Sequence, residues 1–324
     1  MVTTRYSRAI SVPELVERAQ AGEARAVARL ISMVEDASPQ LREVSAALAP
    51  HTGRAHIVGI TGSPGVGKST STSALVTAMR KAGKRVGVLA VDPSSPFSGG
   101  ALLGDRVRMQ DHATDPGVYI RSMASRGHLG GLSWTAPQAL RVLDAAGCDV
   151  ILVETVGVGQ SEVEIAGLAD TTLVLIAPGM GDGIQAAKAG ILEIGDIYVV
   201  NKADRDGAPQ VRRELRNMIA LAERAPDAWK PPIVLTVASK GEGVDEVAAE
   251  IANHLEHLSA TGELRERRHR RVRSEIEAIA LVGVQKRFAG LSGDSRLDSL
   301  ADGVLEGKND PFSAADVLIE SLSG

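Results

Sequence analysis

Apolar residues near the N-terminus recur at helical spacing: Leu15, Ala19, Val27, Leu30, Ile31 and Val34 share one periodicity, and Ser11 with Glu14 resembles a capping box ahead of them. Ser38-Pro39 interrupts the run and Leu41, Val44 and Leu48 resume it, so residues 1–54 predict a helical extension. The pattern then changes to short apolar runs alternating with helical segments. Strands are expected at 56–61, 86–91, 118–121, 149–154, 172–177, 196–200 and 233–237. Helices are expected at 68–82 and 135–146, closed by Gly83 and Gly147. Strands apolar on both faces are covered by helices on both sides. Residues 55–260 therefore predict an α/β domain with a doubly wound, mostly parallel sheet, whose ligands would lie at the carboxyl ends of the strands. Residues 261–324 predict a helical tail: one long helix over 261–288, a Gly- and Asp-bearing connection, and a last helix over 311–322 after Asp310. The long helix opens with Arg265, Arg267, Arg268, Arg270, Arg271 and Arg273, diluted by Glu263, Glu266, Glu275 and Glu277, and this run reads as a solvated face.

Composition narrows the class. The chain has 324 residues, 44% hydrophobic and 23% charged, which excludes collagen-like and disordered proteins and allows one large core with helical additions. A single Cys148 excludes an intramolecular disulfide framework. No stretch approaches the roughly 18 apolar residues of a membrane span. Arg5, Arg8, Glu14, Glu17 and Arg18 occupy the region where a signal peptide needs an apolar segment, so a cytoplasmic setting is expected. A net charge of -4 and only 2 Trp, 3 Tyr and 3 Phe make nucleic acid an unexpected partner.

The first expected strand runs into Gly62-Ser63-Pro64-Gly65-Val66-Gly67-Lys68-Ser69-Thr70, which satisfies G-x-x-x-x-G-K-[ST] with a strand before it and a helix after it. Such a loop turns backbone N–H groups toward phosphate oxygens, and the helix start adds its positive dipole end. Lys68 is expected on the β- and γ-phosphates and the Ser69 hydroxyl on Mg²⁺. The strand over 196–200 ends in Asn201-Lys202-Ala203-Asp204, the N-K-x-D guanine signature. Asp204 can accept from the N1–H and the exocyclic amino group of guanine, whereas adenine offers neither donor and leaves the carboxylate unpaired. Ala238-Ser239-Lys240, followed by Gly241, comes after the next strand in the order of a third guanine contact: the Ser239 N–H to O6 and Lys240 against the ring.

Asp92 and Glu154 end two further strands on the same sheet edge and are candidate contacts to the metal or its water. Glu154-Thr155-Val156-Gly157 stands where regulatory GTPases carry Asp-x-x-Gly, and Val158 follows where Ras-like proteins place a water-orienting Gln. Slow intrinsic hydrolysis, accelerated by a partner or second subunit, is the expectation. Gly-rich segments over 93–105, 125–132 and 178–190 are candidate switches. Asp105, with Arg106 and Arg108, adds a second candidate metal ligand near the first, and Asp182 and Lys188 flank the third. The catalytic set expected is Lys68, Glu154, Gly157 and Lys188; the metal set is Ser69, Asp92, Asp105 and Glu154.

Together with Val91-Asp92-Pro93-Ser94-Ser95-Pro96, Ser125-Arg126-Gly127-His128-Leu129-Gly130-Gly131 and Glu154-Thr155-Val156-Gly157-Val158-Gly159-Gln160, these motifs resemble the MeaB/ArgK-type P-loop GTPases, relatives of metallochaperone GTPases with Glu in the third motif. The resemblance spans nearly the whole chain. It implies a homodimeric GTPase, using GTP/GDP and Mg²⁺, that chaperones adenosylcobalamin-dependent methylmalonyl-CoA mutase, gates cofactor loading and protects the mutase. It further implies that residues 178–188 relay the nucleotide state and that the C-terminal helices form the dimer contact. Cobalamin itself is not expected on this chain, since Asp111 and His112 are adjacent and fit no Asp-x-His-x-x-Gly spacing. Two alternatives stay open. A metal-insertion GTPase needs clustered ligands; here His51, His56, His112, His128, His254, His257 and His269 are scattered, and His254 with His257 reads as a solvated helix face. An ATP-using, transport-associated kinase conflicts with the guanine signature.

Overall fold

The computed structural model describes residues 10–36, 38–93, 109–125, 135–155, 161–179, 193–221, 225, 227–288 and 295–322. Strands β1 (His56–Thr61), β2 (Val86–Pro93), β3 (Val118–Ser125), β4 (Val150–Thr155), β5 (Thr171–Ile176), β6 (Ile197–Asn201) and β7 (Ile233–Thr236) form one seven-stranded sheet in the order β3-β2-β4-β1-β5-β6-β7. All neighbouring pairs are parallel. The expected strands therefore exist. β2 and β3 run further than apolar patterning alone marks, because their ladder continues through Asp92 opposite Ala124 and Pro93 opposite Ser125.

Alternation within the central strands divides the core between two faces. On one face Val58, Ile60, Val88, Leu152 and Leu173 pack with Leu75, Val76 and Met79 of α4 (Lys68–Lys81) and with Val244, Val247 and Ile251 of α8 (Val244–Thr261), which follows α7 (Ala208–Leu221) in the chain. On the other face Ile57, Leu89, Ile151 and Val153 pack with α5 (Thr135–Ala145) and with α1 (Val12–Gln20), α2 (Ala24–Glu35) and α3 (Leu41–Leu48). The N-terminal helices thus share a core with the sheet. Gly59 lets α6 (Ser161–Leu168) approach β1 closely: a Cβ there would stand 2.8 Å from Ile165.

The chain divides into two compact units, Met1–Arg271 and Val272–Gly324. Two details of the tail differ from the sequence pattern. Gly262, at φ +82, ends α8 in a left-handed turn, so α9 (Glu263–Phe288) is a separate helix. Ser295–Leu305, expected as a connection, is helix α10, with Leu297, Leu300 and Val304 at helical spacing despite the intervening Gly and Asp. The last helix, α11 (Pro311–Leu322), lies where the pattern places it.

The arginine run on α9 is only partly a solvated face. Arg267, Arg268 and Arg271 share one helical face and close on carboxylates at the amino-terminal edge of the sheet. Arg267 grips Asp196 in a two-pronged pair at 2.9 and 3.0 Å. Arg268 and Arg271 each meet Asp170 at 3.0 Å, and Asp170 is fully buried, accepting also from the Ile57 N–H. Arg265, Arg270 and Arg273 remain exposed. His254 is likewise not on a solvated face: it is fully buried, and Thr171 Oγ1 links its Nδ1 at 2.8 Å to His56 Nε2 at 2.7 Å. The Trp229 ring covers His254 at 4.8 Å between centroids.

Burial holds both histidines neutral, pushing His56 down to about 4 and His254 down to about 4, despite the opposing pull of Asp170 and Asp196. Below pH 6.5 the unfolded chain binds these protons before the folded one, so stability falls toward pH 4 by something on the order of 1 kcal/mol per pH unit for each histidine. Calorimetric melting temperatures should therefore decline steadily from pH 6.5 to 4, and His254→Gln should flatten that slope. Replacing Asp170 by Ala strands two arginines in a protein edge and should cost about 3–5 kcal/mol in urea unfolding.

Candidate nucleotide site

The carboxyl ends of β1, β4, β6 and β7 converge on one edge of the sheet, where the sequence places its phosphate, metal and guanine motifs. The loop from Gly62 to Gly67 leaves β1 and enters α4 through three left-handed glycines: Gly62 (φ +140), Gly65 (φ +81) and Gly67 (φ +99). Two of them are demanded by contact as well as by φ. A Cβ on Gly62 would lie 2.3 Å from the Leu175 carbonyl oxygen, and one on Gly67 would lie 2.5 Å from Asn201 Nδ2. Ser63 is half-buried, Pro64, Gly65 and Thr70 are exposed, and Val66 seats the loop in the core. Lys68, the first residue of α4, is buried and donates from Nζ to the Gly62 carbonyl at 2.5 Å and to the Ser63 carbonyl at 3.3 Å. Its ammonium is therefore held inside the curve of the loop.

Beside the loop, Glu154 of β4 is almost fully buried. Ser69 Oγ donates to its Oε1 at 2.6 Å, and Thr72 Oγ1 donates to its Oε2 at 2.9 Å. Two of the expected metal-site residues, Ser69 and Glu154, are thus in direct contact. A hydroxyl and a carboxylate are hard oxygen donors of the kind Mg²⁺ takes, and a hydroxyl whose proton goes to Glu154 keeps its lone pairs for a cation. Asp92, the penultimate residue of β2, is in register with the same edge, two residues past Ala90, which pairs with Glu154. Asp105, Gly157 and Lys188 lie outside the described residues, as do most of the switch-like segments.

Asn201 sits behind the loop. Its Nδ2 donates to the Val66 carbonyl at 2.8 Å, and its Oδ1 accepts from Thr236 Oγ1 at 3.2 Å and from the Ala238 N–H at 3.1 Å. Both ends of the amide thus join phosphate loop, guanine motif and the loop after β7. Lys202, left-handed at φ 57, donates from Nζ to the Gly65 carbonyl at 2.6 Å. Asp204 and Lys240 stand exposed and 3.5 Å apart, so the two proposed base contacts come from different strands to one place. Ser239 lies in the short turn Ala238–Lys240, closed by left-handed Gly241. A groove of about 540 Å³ opens beside it, lined by Thr70, Ser239 and Gly241 among others.

Two contributors escaped sequence reasoning. Thr72 is one turn beyond Ser69 on the same helix face, a spacing visible in Lys68-Ser69-Thr70-Ser71-Thr72. Gly243 (φ +74) has its Cβ position 2.1 Å from the Leu235 carbonyl and permits the turn into α8; nothing local in the sequence marks that approach. Cys148 is a buried thiol pushed up to about 12 by desolvation. Among the described residues no group of three or more His, Cys, Asp or Glu is arranged to hold a metal ion, and no helix is long and apolar enough to cross a membrane.

Known proteins resemble this chain. The chain is 49% identical over 315 residues, 97% of its own length and 99% of the relative's, to a Pyrococcus horikoshii protein provisionally named a GTPase. It is 35% identical over 269 residues, 82% of this chain and 65% of the relative, to the mouse mitochondrial methylmalonic aciduria type A homolog. A crystal structure of a LAO/AO transport system kinase superposes with a TM-score of 0.73 at 27% identity, covering 98% of this chain and 99% of that one. Residues 27–291 match the family described as methylmalonyl-CoA mutase-associated GTPase MeaB, and the chain belongs to that family of P-loop GTPases.

Proposed function

We propose that this protein is a GTP-binding and GTP-hydrolysing chaperone that gates adenosylcobalamin loading into methylmalonyl-CoA mutase and protects that enzyme. The observation that carries the nucleotide half is the meeting of Asp204 and Lys240 beside a phosphate loop braced by Asn201. The family match carries the mutase half. In this reading Gly62 to Thr70 wrap the phosphates, and Lys68 exchanges its carbonyl partners for β- and γ-phosphate oxygens. Asp204 and the Ser239 N–H read guanine, with Lys202, Lys240 and Gly241 framing the ring. Asn201 acts on the nucleotide through the loops it joins. Mg²⁺, when bound, supplies positive charge against the phosphates; Ser69 and Glu154 would hold it or its water, with Asp92 and Asp105 as further candidates. Gly157 and Lys188 complete the catalytic proposal as backbone pivot and switch cation. Val158 in place of a water-orienting Gln supports slow intrinsic turnover that a partner accelerates, an effect reaching roughly 10³–10⁵ in other GTPases. A homodimer through the C-terminal helices and a cytoplasmic setting belong to the same proposal.

Calorimetric titration of the full chain should give GTP at least a hundredfold tighter than ATP, and Asp204→Ala should erase most of that preference, a loss of about 1–3 kcal/mol or more. Tighter ATP binding would favour the transport-kinase reading instead. Lys68→Ala should lower single-turnover GTP hydrolysis by about 10²–10³, the usual scale for losing one charge-stabilising group. The mutase role predicts that GTP changes the rate at which adenosylcobalamin enters purified methylmalonyl-CoA mutase in the presence of this protein. Loading that is indifferent to the protein and to the nucleotide would remove that role.

A further inference from the structure

We propose that Thr72 is a positioning residue for the GTPase site, fixing the rotamer of Glu154 and through it the direction of the Ser69 hydroxyl. The inference rests on the GTPase reading above. Glu154 has one more rotatable bond than the Asp usual at this point, and the terminal torsion of a Glu side chain is broad and only loosely defined by its own rotamer wells. A carboxylate at a strand end can therefore turn about that bond unless both oxygens are held. Here they are held by different hydroxyls of one helix: Oε1 by Ser69 at 2.6 Å and Oε2 by Thr72 at 2.9 Å.

Thr72 is suited to this. It is fully buried, its β-branch leaves few χ1 choices, and its Oγ1 also stands 3.0 Å from the Lys68 carbonyl one turn earlier. The hydroxyl is thereby anchored to the backbone of the residue that opens α4, and its proton is shared between that carbonyl and the carboxylate. Ser69, three residues earlier on the same face, meets the other oxygen. Turning Glu154 would carry the acceptor of the Ser69 proton with it and swing the lone pairs that Ser69 offers to a hard cation. The phosphate loop has no direct bond to the Thr72 side chain beyond the Lys68 carbonyl. Loss of the hydroxyl should thus weaken the cation's contribution to nucleotide binding and leave the loop's own grip on phosphate intact.

The test uses the full chain with Thr72→Val and Thr72→Ser, titrated with GTP by calorimetry in excess Mg²⁺ and in EDTA, alongside single-turnover hydrolysis and thermal melting. Thr72→Val should bind GTP in EDTA within threefold of the parent, lose at least tenfold of the affinity gained from Mg²⁺, and hydrolyse GTP at least tenfold more slowly. Thr72→Ser should recover most of both losses. An Mg²⁺ gain within twofold of the parent in Thr72→Val would overturn the proposal, as would a serine variant no better than valine, which would point to packing alone. If Thr72→Val melts early, a Glu154→Gln background decides. There the serine and parent hydroxyls should give the same Mg²⁺ gain, and Thr72→Val should add no further loss; an independent, multiplying loss would overturn it. A parent protein that binds no GTP would remove the GTPase reading as well, whereas GTP binding with an indifferent Thr72→Val removes this inference alone.

Discussion

The site depends on one side-chain amide. Asn201 donates to the carbonyl of Val66 in the phosphate loop and accepts from Thr236 and Ala238 at the end of β7. An amide is suited to this because it carries donors and an acceptor at opposite ends, so it can join segments that each present a single unsatisfied group. The contact also explains Gly67, whose Cβ would collide with that amide. Loops from β1, β6 and β7 are thus held at fixed distances although β1 pairs with neither β6 nor β7.

The opposite edge of the sheet is organised by charge. Asp170 and Asp196 precede β5 and β6, and from one face of α9 Asp170 draws Arg268 and Arg271 while Asp196 draws Arg267. Buried carboxylates are tolerated only with paired charges and hydrogen bonds. Asp170 remains below the usual carboxylate range because Arg271 and Arg268 outweigh its desolvation. Neutral His56 and His254, joined through Thr171, fill the space between the clamp and the core. The parallel sheet makes this division natural: its faces are apolar and covered by helices, so polar chemistry is confined to the two ends of the strands. One end carries the clamp and the other the phosphate-loop and guanine motifs.

At the carboxyl edge a further contact joins β4 to α4. Glu154 reaches back to α4 and finds two hydroxyls, Ser69 and Thr72, spaced by one helical turn. The helix that supplies the phosphate-loop lysine therefore also orients the acid of β4.

Local order and motif content were legible in the sequence by itself. Apolar runs such as Ile57 to Ile60 and Ile151 to Val153 mark strands because both faces are buried, and Gly62 to Thr70 marks the phosphate loop because its glycines and lysine are adjacent along the chain. The NKAD segment is equally local. What tertiary structure decided are contacts between residues far apart in sequence. Arg267, Arg268 and Arg271 look like a solvated basic run until Asp170 and Asp196 are brought to them, since charge patterning records no partner. His254 looks like a surface residue of a polar helix until Thr171 and Trp229 enclose it. Asn201 reads as part of a guanine motif, and only the fold shows that both ends of its amide are bonded to the loops it joins. Periodicity and short motifs carry information over a few residues; the pairing of buried polar groups is settled only when the sheet sets which strand ends meet.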